Sequence, residues 1–223
     1  MLPETSPAVD DRVNGVERVT VSPTDPEPRV LAGAAGVLSH GGLAIFPTDT
    51  LYGLAADPRN SAGVARVFRL KGRAAAQALP LVAASLEQVE RSLGGVSGHT
   101  RRLADCFWPG PLTLIVEAGP EVAMAVLGGE GTVAVRVPNH AVARGLAASL
   151  GFPVVSTSAN RAGQAAPATA EDAIAALGGE VDIVLDAGSV AGGEPSTIVD
   201  ARGDEIRLIR AGAIPFSRVL EAL

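Results

Sequence analysis

Lysine is almost absent from this chain: its 223 residues carry 18 basic side chains, and Lys71 is the one lysine beside seventeen arginines. A lone primary amine, set in RLKGR between Arg69 and Arg73, has to be accounted for. Cysteine is equally scarce. With Cys106 alone there is no disulfide framework and no cysteine zinc site, and its place beside Phe107 suggests a small buried hydrophobe. Aromatic residues make up 3% of the chain, too few for the stacking platform of a single-strand nucleic-acid binder. Positive charge is not in excess either. A formal net charge of −6 argues against a surface that tracks a long phosphate backbone and leaves room only for a local basic pocket around a small polyanion. No apolar run approaches the ~18 residues of a membrane span, and the opening MLPETSPAVDD has neither the basic nor the apolar region of a secretory signal. A soluble, cytoplasmic protein without a membrane partner is expected.

What remains is the composition of one α/β domain, with 47% hydrophobic residues to build its core. Residues 1–28 are rich in Pro, Asp, Glu, Thr and Ser and read as a mostly flexible leader, in which only VERVTV has the pattern of a strand. The folded domain is placed at 29–223. RVLAGAAGVLSHGG has helical spacing and closes on two glycines, and LAIFPT reads as a buried strand. SAGVARVFRLKGR reads as a helix started by Ser61, which puts Lys71 and Arg73 in its last turn or just beyond. LPLVAAS, PLTLIVEA, TVAVRVP, FPVVSTSAN, VDIVLDAG, STIVDA and EIRLIRAG read as strands. LEQVERSL, HTRRLADCFW, AVARGLAASLG and TAEDAIAALGG read as helices. There is no fixed-period repeat, and the mixture predicts a mixed open sheet with helices packed on it.

Polar residues gather where strands end, which is where open α/β sheets place ligands. Four such clusters stand out: PTDTLYGL at 47–54, WPGPLT at 108–113, RVP with STSAN between 136 and 160, and PST with RAG between 195 and 212. None is a Walker A loop or a GxGxxG fingerprint. The hydroxyls and turn amides of STSAN suit an anion, but the same residues also make an ordinary loop. Thr48 and Thr50 are open to the same two readings, Asp49 is read as a turn cap, and Tyr52 is either a substrate contact or a core ring with a satisfied hydroxyl. Arg73, Arg136 and Arg210 sit beside turn residues, as rim charges or as a convergent phosphate site. A compact ammonium at Lys71 suits a triphosphate better than a flat guanidinium does. His40, His99 and His140 lack metal-ligand spacing, and Asp57, Asp186 and Asp200 read as turn caps more readily than as indirect ligands of Mg²⁺. No residue stands out as a covalent nucleophile.

Taken in order, PTDTLYGL, KGR, WPGPLT, VAVRVP, STSAN and PSTIVD ending in RAG resemble the YrdC family of threonylcarbamoyl-AMP synthases across roughly residues 29 to 215. The resemblance implies a twisted, mixed open sheet with flanking helices around a concave basic groove. It further implies an enzyme, a nucleotidyltransferase, that forms L-threonylcarbamoyladenylate and pyrophosphate from L-threonine, bicarbonate or CO₂ and ATP, with Mg²⁺ accompanying the ATP. The product would feed N6-threonylcarbamoyladenosine modification of tRNA through a downstream threonylcarbamoyl transferase complex, with any direct tRNA or RNA binding weak. Carried over by motif, Lys71 and Arg73 are the expected catalytic pair on the phosphates, with Lys71 neutralising triphosphate charge during adenylation. Thr113, Ser156, Ser158, Asn160 and Arg210 join them at ATP, and Thr48, Thr50, Tyr52, Arg136 and Ser196 hold threonine. No protein metal ligand is expected. The chain departs from the pattern in KGRAAAQALPL, where Ala74 stands in place of the usual proline, and in Val82, Ala83 and Ala84, where longer relatives place a histidine. With about ten residues after RAG, the short single-domain form is expected.

Overall fold

The computed structural model describes residues 11–13, 16–72, 78–96 and 98–223. In chain order the elements are β1 (Asp11–Val13), β2 (Val16–Thr20), α1 (Pro28–Ser39), β3 (Ala44–Pro47), β4 (Tyr52–Ala56), α2 (Ser61–Lys71), β5 (Leu81–Val82), α3 (Leu86–Leu93), α4 (Gly98–Phe107) and β6 (Leu112–Glu117). There follow β7 (Thr132–Arg136), α5 (Ala141–Leu150), β8 (Val154–Ser158), α6 (Ala170–Leu177), β9 (Ile183–Asp186), β10 (Thr197–Asp200), β11 (Arg207–Arg210) and α7 (Phe216–Glu221). The strands form one open sheet in the order β1-β2-β9-β3-β4-β8-β5-β7-β6-β10-β11. The sheet is mixed: β2/β9, β9/β3, β5/β7 and β6/β10 run parallel, and the other neighbours run antiparallel.

Because strand side chains alternate between faces, the register decides which residues share a side. On one face Ala44, Phe46, Ala55, Val82 and Val154 pack with the apolar stripes of α1 and α5. On the other, Ile45, Tyr52, Leu54, Leu81, Val133, Val135 and Val155 form the largest cluster, shared with residues of α2, α3 and α6. A third cluster joins Leu112, Leu114 and Val199 to α4 and α7. Each fully buried Leu, Ile or Val in these clusters contributes roughly 1.5–3 kcal/mol. Helices α1 and α5 lie over β9, β3, β4, β8 and β5. Beyond them the same face carries Thr113 and Ile115 of β6, Ala134 and Arg136 of β7, and Ile198 of β10, in register with Val82. That stretch of sheet opens as a cleft.

Local chemistry places the cleft's corners. Asn60, rather than Ser61, caps α2, its side chain accepting from the amides of Ala62 and Gly63. Gly72, at φ 61°, ends the helix in the left-handed conformation. Lys71 is therefore the last helical residue, as its spacing predicts. Gly151 closes α5 in the same way, at φ 72°, and Thr169 caps α6 through the amide of Asp172.

The structure departs from the expectations at several points. β2 belongs to the sheet, pairing with β9, and β1 pairs with β2, so the folded part begins before residue 29. Of LPLVAAS only Leu81–Val82 is strand. The YGLAA stretch, read only as part of a polar cluster, is β4, buried along its whole length. Cys106 is exposed, not buried: α4 buries Thr100, Leu103 and Ala104, and the helical period carries position 106 off that stripe. Among the described residues, no helix is long and apolar enough to cross a membrane.

Candidate active site

The cleft has a volume of about 830 Å³. Among the described residues its charged lining is Lys71, Arg136 and Arg210, all cationic. Every site residue expected from the sequence lies along it except Arg73, which falls outside the described residues.

The turn between β3 and β4 forms one wall. Thr48 is buried, and its Oγ1 donates to the Leu51 carbonyl at 2.7 Å while accepting from the amides of Thr50 and Leu51 at 3.3 and 3.2 Å. That hydroxyl holds the turn and has no hydrogen left for a ligand. Asp49 ties the turn to β7: its carboxylate accepts from Arg136 Nη1 at 2.9 Å and from the Asn139 amide at 3.1 Å. Arg136 Nη2 also points at Thr50 Oγ1, 3.4 Å away. Tyr52 lies in the turn's shadow, with no exposed surface, and its hydroxyl donates to the Gly188 carbonyl at 2.6 Å. Burial pushes the Tyr52 phenol well above its ordinary range.

The opposite wall is built on β6, β10 and β11. Thr113 and Ser196 share a hydrogen bond of 2.7 Å between their hydroxyls. Arg210 donates to the Ser196 carbonyl at 2.7 and 3.2 Å and to its Oγ at 3.1 Å. An arginine only donates, and a single hydrogen lies between the two hydroxyls, so the second hydroxyl hydrogen remains for an acceptor in the cleft. Gly212, from RAG, makes this packing fit, because a Cβ there would lie 2.2 Å from the Pro195 carbonyl oxygen.

The third corner is Lys71. It is 5% exposed, and its ammonium donates to the Ser158 and Asn160 carbonyls at 2.6 and 2.9 Å. Asn160 Oδ1 and Ser158 Oγ lie 3.1 and 3.3 Å from it. Ser158 Oγ in turn donates to Asn160 Oδ1 at 2.6 Å, and Asn160 Nδ2 to the Gln164 carbonyl at 2.6 Å. Ser158 and Asn160 of STSAN thus fold around the amine, and Ser156, two residues earlier on β8, lines the cleft.

The electrostatics favour an anion. Burial pulls the Arg136 pKa down, against the opposing pull of Asp49. Burial and then the positive charge of Arg136 pull Arg210 down. Among the described residues no carboxylate comes within ion-pair distance of Arg210, whose guanidinium donates to Ser196. A half-buried guanidinium without a counter-charge is a standing cost that a bound anion offsets.

The remaining candidates are turn caps. Asp57, Asp186 and Asp200 each accept from the amide two residues on, at Arg59, Gly188 and Arg202, and each is paired with arginine. Among the described residues no three His, Cys, Asp or Glu side chains gather as a metal site. His40 bonds the Gly36 carbonyl. His140 Nδ1 is buried without a hydrogen-bond partner, and burial lowers its pKa. Sequence reasoning missed the Asp49 to Arg136 pairing and the close approach at Gly212; the alternation in TVAVR, which sets Ala134 and Arg136 on one face, was the available signal for the first.

Fold and site together define a mixed α/β protein with a hydroxyl-lined cleft that carries cationic side chains. In comparison with known proteins, residues 36–212 match the Sua5/YciO/YrdC family model, described as telomere recombination. The chain belongs to that family. It is 36% identical over 186 residues to the threonylcarbamoyl-AMP synthase of Pyrococcus abyssi, spanning 55% of that protein's length. It is 39% identical over 176 residues to the threonylcarbamoyl-AMP synthase of Chromohalobacter salexigens, covering 78% of this chain and 94% of that one. Among solved structures it is similar to P. abyssi Sua5 complexed with L-threonine, with a TM-score of 0.85, 33% identity and coverage of 92% of this chain and 60% of that one. It is also similar to E. coli YciO, with a TM-score of 0.80, 25% identity and coverage of 90% and 97%.

Proposed function

We propose that this protein is an L-threonylcarbamoyladenylate synthase, a nucleotidyltransferase that joins L-threonine, bicarbonate or CO₂ and ATP and releases pyrophosphate. The observation that carries the reading is the convergence of Lys71, Arg136 and Arg210 with the hydroxyls of Thr113 and Ser196 on one cleft whose charged lining, among the described residues, is cationic. The names of the relatives and the threonine-bound neighbour support it. In this scheme the threonine amine adds to CO₂ to give a carbamate, and a carbamate oxygen attacks the α-phosphorus of ATP as pyrophosphate leaves. Such a transfer asks for positioning and cationic stabilisation rather than a covalent nucleophile.

Within this reading Lys71, with Arg73, faces the ATP phosphates. Arg210 adds positive charge to the same polyanion, and the remaining Thr113 or Ser196 hydrogen meets an acceptor. Arg136, held by Asp49, and Thr50 and Ser196 orient threonine, while Thr48 shapes the turn that carries them. Among the described residues the cleft lining holds no carboxylate, and the nearby Asp49 is held by Arg136 and Asn139. Mg²⁺ therefore fits here as a companion of the phosphates, whose charge it would shield. A labile mixed anhydride as product implies a downstream threonylcarbamoyl transferase complex acting on tRNA.

The test is pyrophosphate release from Mg-ATP with L-threonine and bicarbonate each present or omitted. Release that requires both is expected. Release that requires neither, or none at all from folded protein, overturns the assignment.

A further inference from the structure

We infer that Tyr52 is a positioning residue that anchors a glycine-rich strap, residues 187–196, beside the cleft. The effect on substrate affinity rests on the function proposed above; the anchoring itself does not. Tyr52 has no exposed surface to offer a ligand. Its hydroxyl donates to the Gly188 carbonyl at 2.6 Å and accepts from the Ala187 amide at 3.1 Å. Asp186 Oδ1, 3.3 Å from the same hydroxyl, takes the Gly188 amide at 2.9 Å. Asp186 is held from the other side by Arg18 of β2, through Nε at 3.0 Å and Nη2 at 2.6 Å. The Tyr52 main chain is engaged as well: its amide donates to the Pro167 carbonyl and its carbonyl accepts from the Ala159 amide. One buried residue thus joins β4, the loop after STSAN and the root of the strap.

The strap is pinned at both ends and pliant between them. After the Tyr52 anchor, the Val190 amide donates to the Ala168 carbonyl. At the far end the Ala213 amide donates to the Pro195 carbonyl, and Arg210 holds Ser196. Gly192 and Gly193 lie between, both with positive φ, at 69° and 127°, and with open space where a Cβ would stand. Gly193 lines the cleft. Positive φ at consecutive glycines gives a segment whose course is set by its ends rather than by its own side chains. The hydroxyl of Tyr52 therefore decides where the strap starts, and with it how closely Gly193 meets a bound substrate.

The experiment is Tyr52→Phe, which keeps the ring in the core and removes only the hydroxyl, read by hydrogen exchange resolved along the chain and by steady-state kinetics. Exchange at Ala187 and Gly188 is expected to quicken about tenfold, as the loss of one buried hydrogen bond implies, while β10 stays as protected as before. Arg18→Gln, which loosens Asp186 without touching Tyr52, is expected to shift the same amides in the same direction. The threonine KM should rise by a factor at least about five larger than any fall in kcat. Unchanged exchange at 187–188 in Tyr52→Phe overturns the anchor, as does exchange that rises equally across the sheet. A fall in kcat at constant KM overturns the positioning role in favour of a part in the chemistry. If wild-type protein released no pyrophosphate, the proposed reaction would fail while the exchange measurement still decided the anchor.

Discussion

Lys71→Met removes the one side-chain ammonium of the chain while keeping most of its stem, and its cost can be worked from the contacts. The amine is buried and donates to two main-chain carbonyls, Ser158 O at 2.6 Å and Asn160 O at 2.9 Å. Leaving a buried acceptor unpaired costs about 1–3 kcal/mol each. Releasing the amine from its desolvated site returns part of that sum. The net loss is placed at about 2–3 kcal/mol, near the lower end of the combined range. For a domain of this size each kcal/mol lowers Tm by about 2–4 °C, so a fall of about 5–10 °C is expected. Circular dichroism melting gives that number. Pyrophosphate release, measured well below the variant's Tm so that only folded protein is assayed, should fall by at least about a hundredfold if the charge acts on the triphosphate. A Tm within about 1 °C of wild type would refute the role of the amine in holding the STSAN loop. Wild-type turnover would refute its role at the phosphates. The two readouts are separate because Lys71 sits where one amine serves both the loop and the cleft.

Three further outcomes are expected. In Gly212→Ala the new Cβ meets Pro195 O at 2.2 Å and Ser196 C and O at 2.7 Å, so the backbone must shift; a loss of about 1–3 kcal/mol and a raised threonine KM are expected, and a wild-type KM would show that Ser196 does not hold the substrate. Inorganic pyrophosphate at a hundred times its Kd should stabilise the wild-type protein by about 2.7 kcal/mol; Arg210→Met should lose most of that shift, and an equal shift in both would remove Arg210 from the anion site. Burial pushes the Asp186 pKa up, but the Gly188 amide and Arg18 outweigh it and hold the carboxyl below its ordinary value. A depressed folded pKa contributes stability above the unfolded value, about 3.9, and loses it as pH falls through the folded one. Asp186→Asn should therefore show a shallower acid fall in Tm below about pH 4 than wild type; parallel curves would contradict the pairing.

The elements were legible where the signal was local. Helices α1, α2, α5 and α6 announced themselves by apolar spacing and by the residues that close or cap them, and Lys71 falls at the end of α2 as its spacing predicts. β4 was not legible: Gly53 is small because Phe46 crowds it, 3.0 Å from where a Cβ would stand, and small residues such as Gly53 and Ala55 carry little strand signal. Cys106 was misread because a neighbouring Phe says nothing about helix phase.

The sequence by itself determined the family and marked the residues to watch. The single lysine, the arginines beside turns and the hydroxyl clusters at strand ends are properties of composition and short motifs, and the six ordered motifs marked the family. Only the tertiary structure decided what each of those residues does with its atoms. Arg136 meets Asp49 across 87 positions and Lys71 meets Asn160 across 89, and no local pattern encodes such pairings. The same packing spends the hydroxyls of Thr48 and Tyr52 on main-chain partners and leaves Arg210 with no carboxylate among the described residues. A side chain's chemistry is written in its type, but the polar groups it has left to offer depend on which distant strands the sheet brings beside it.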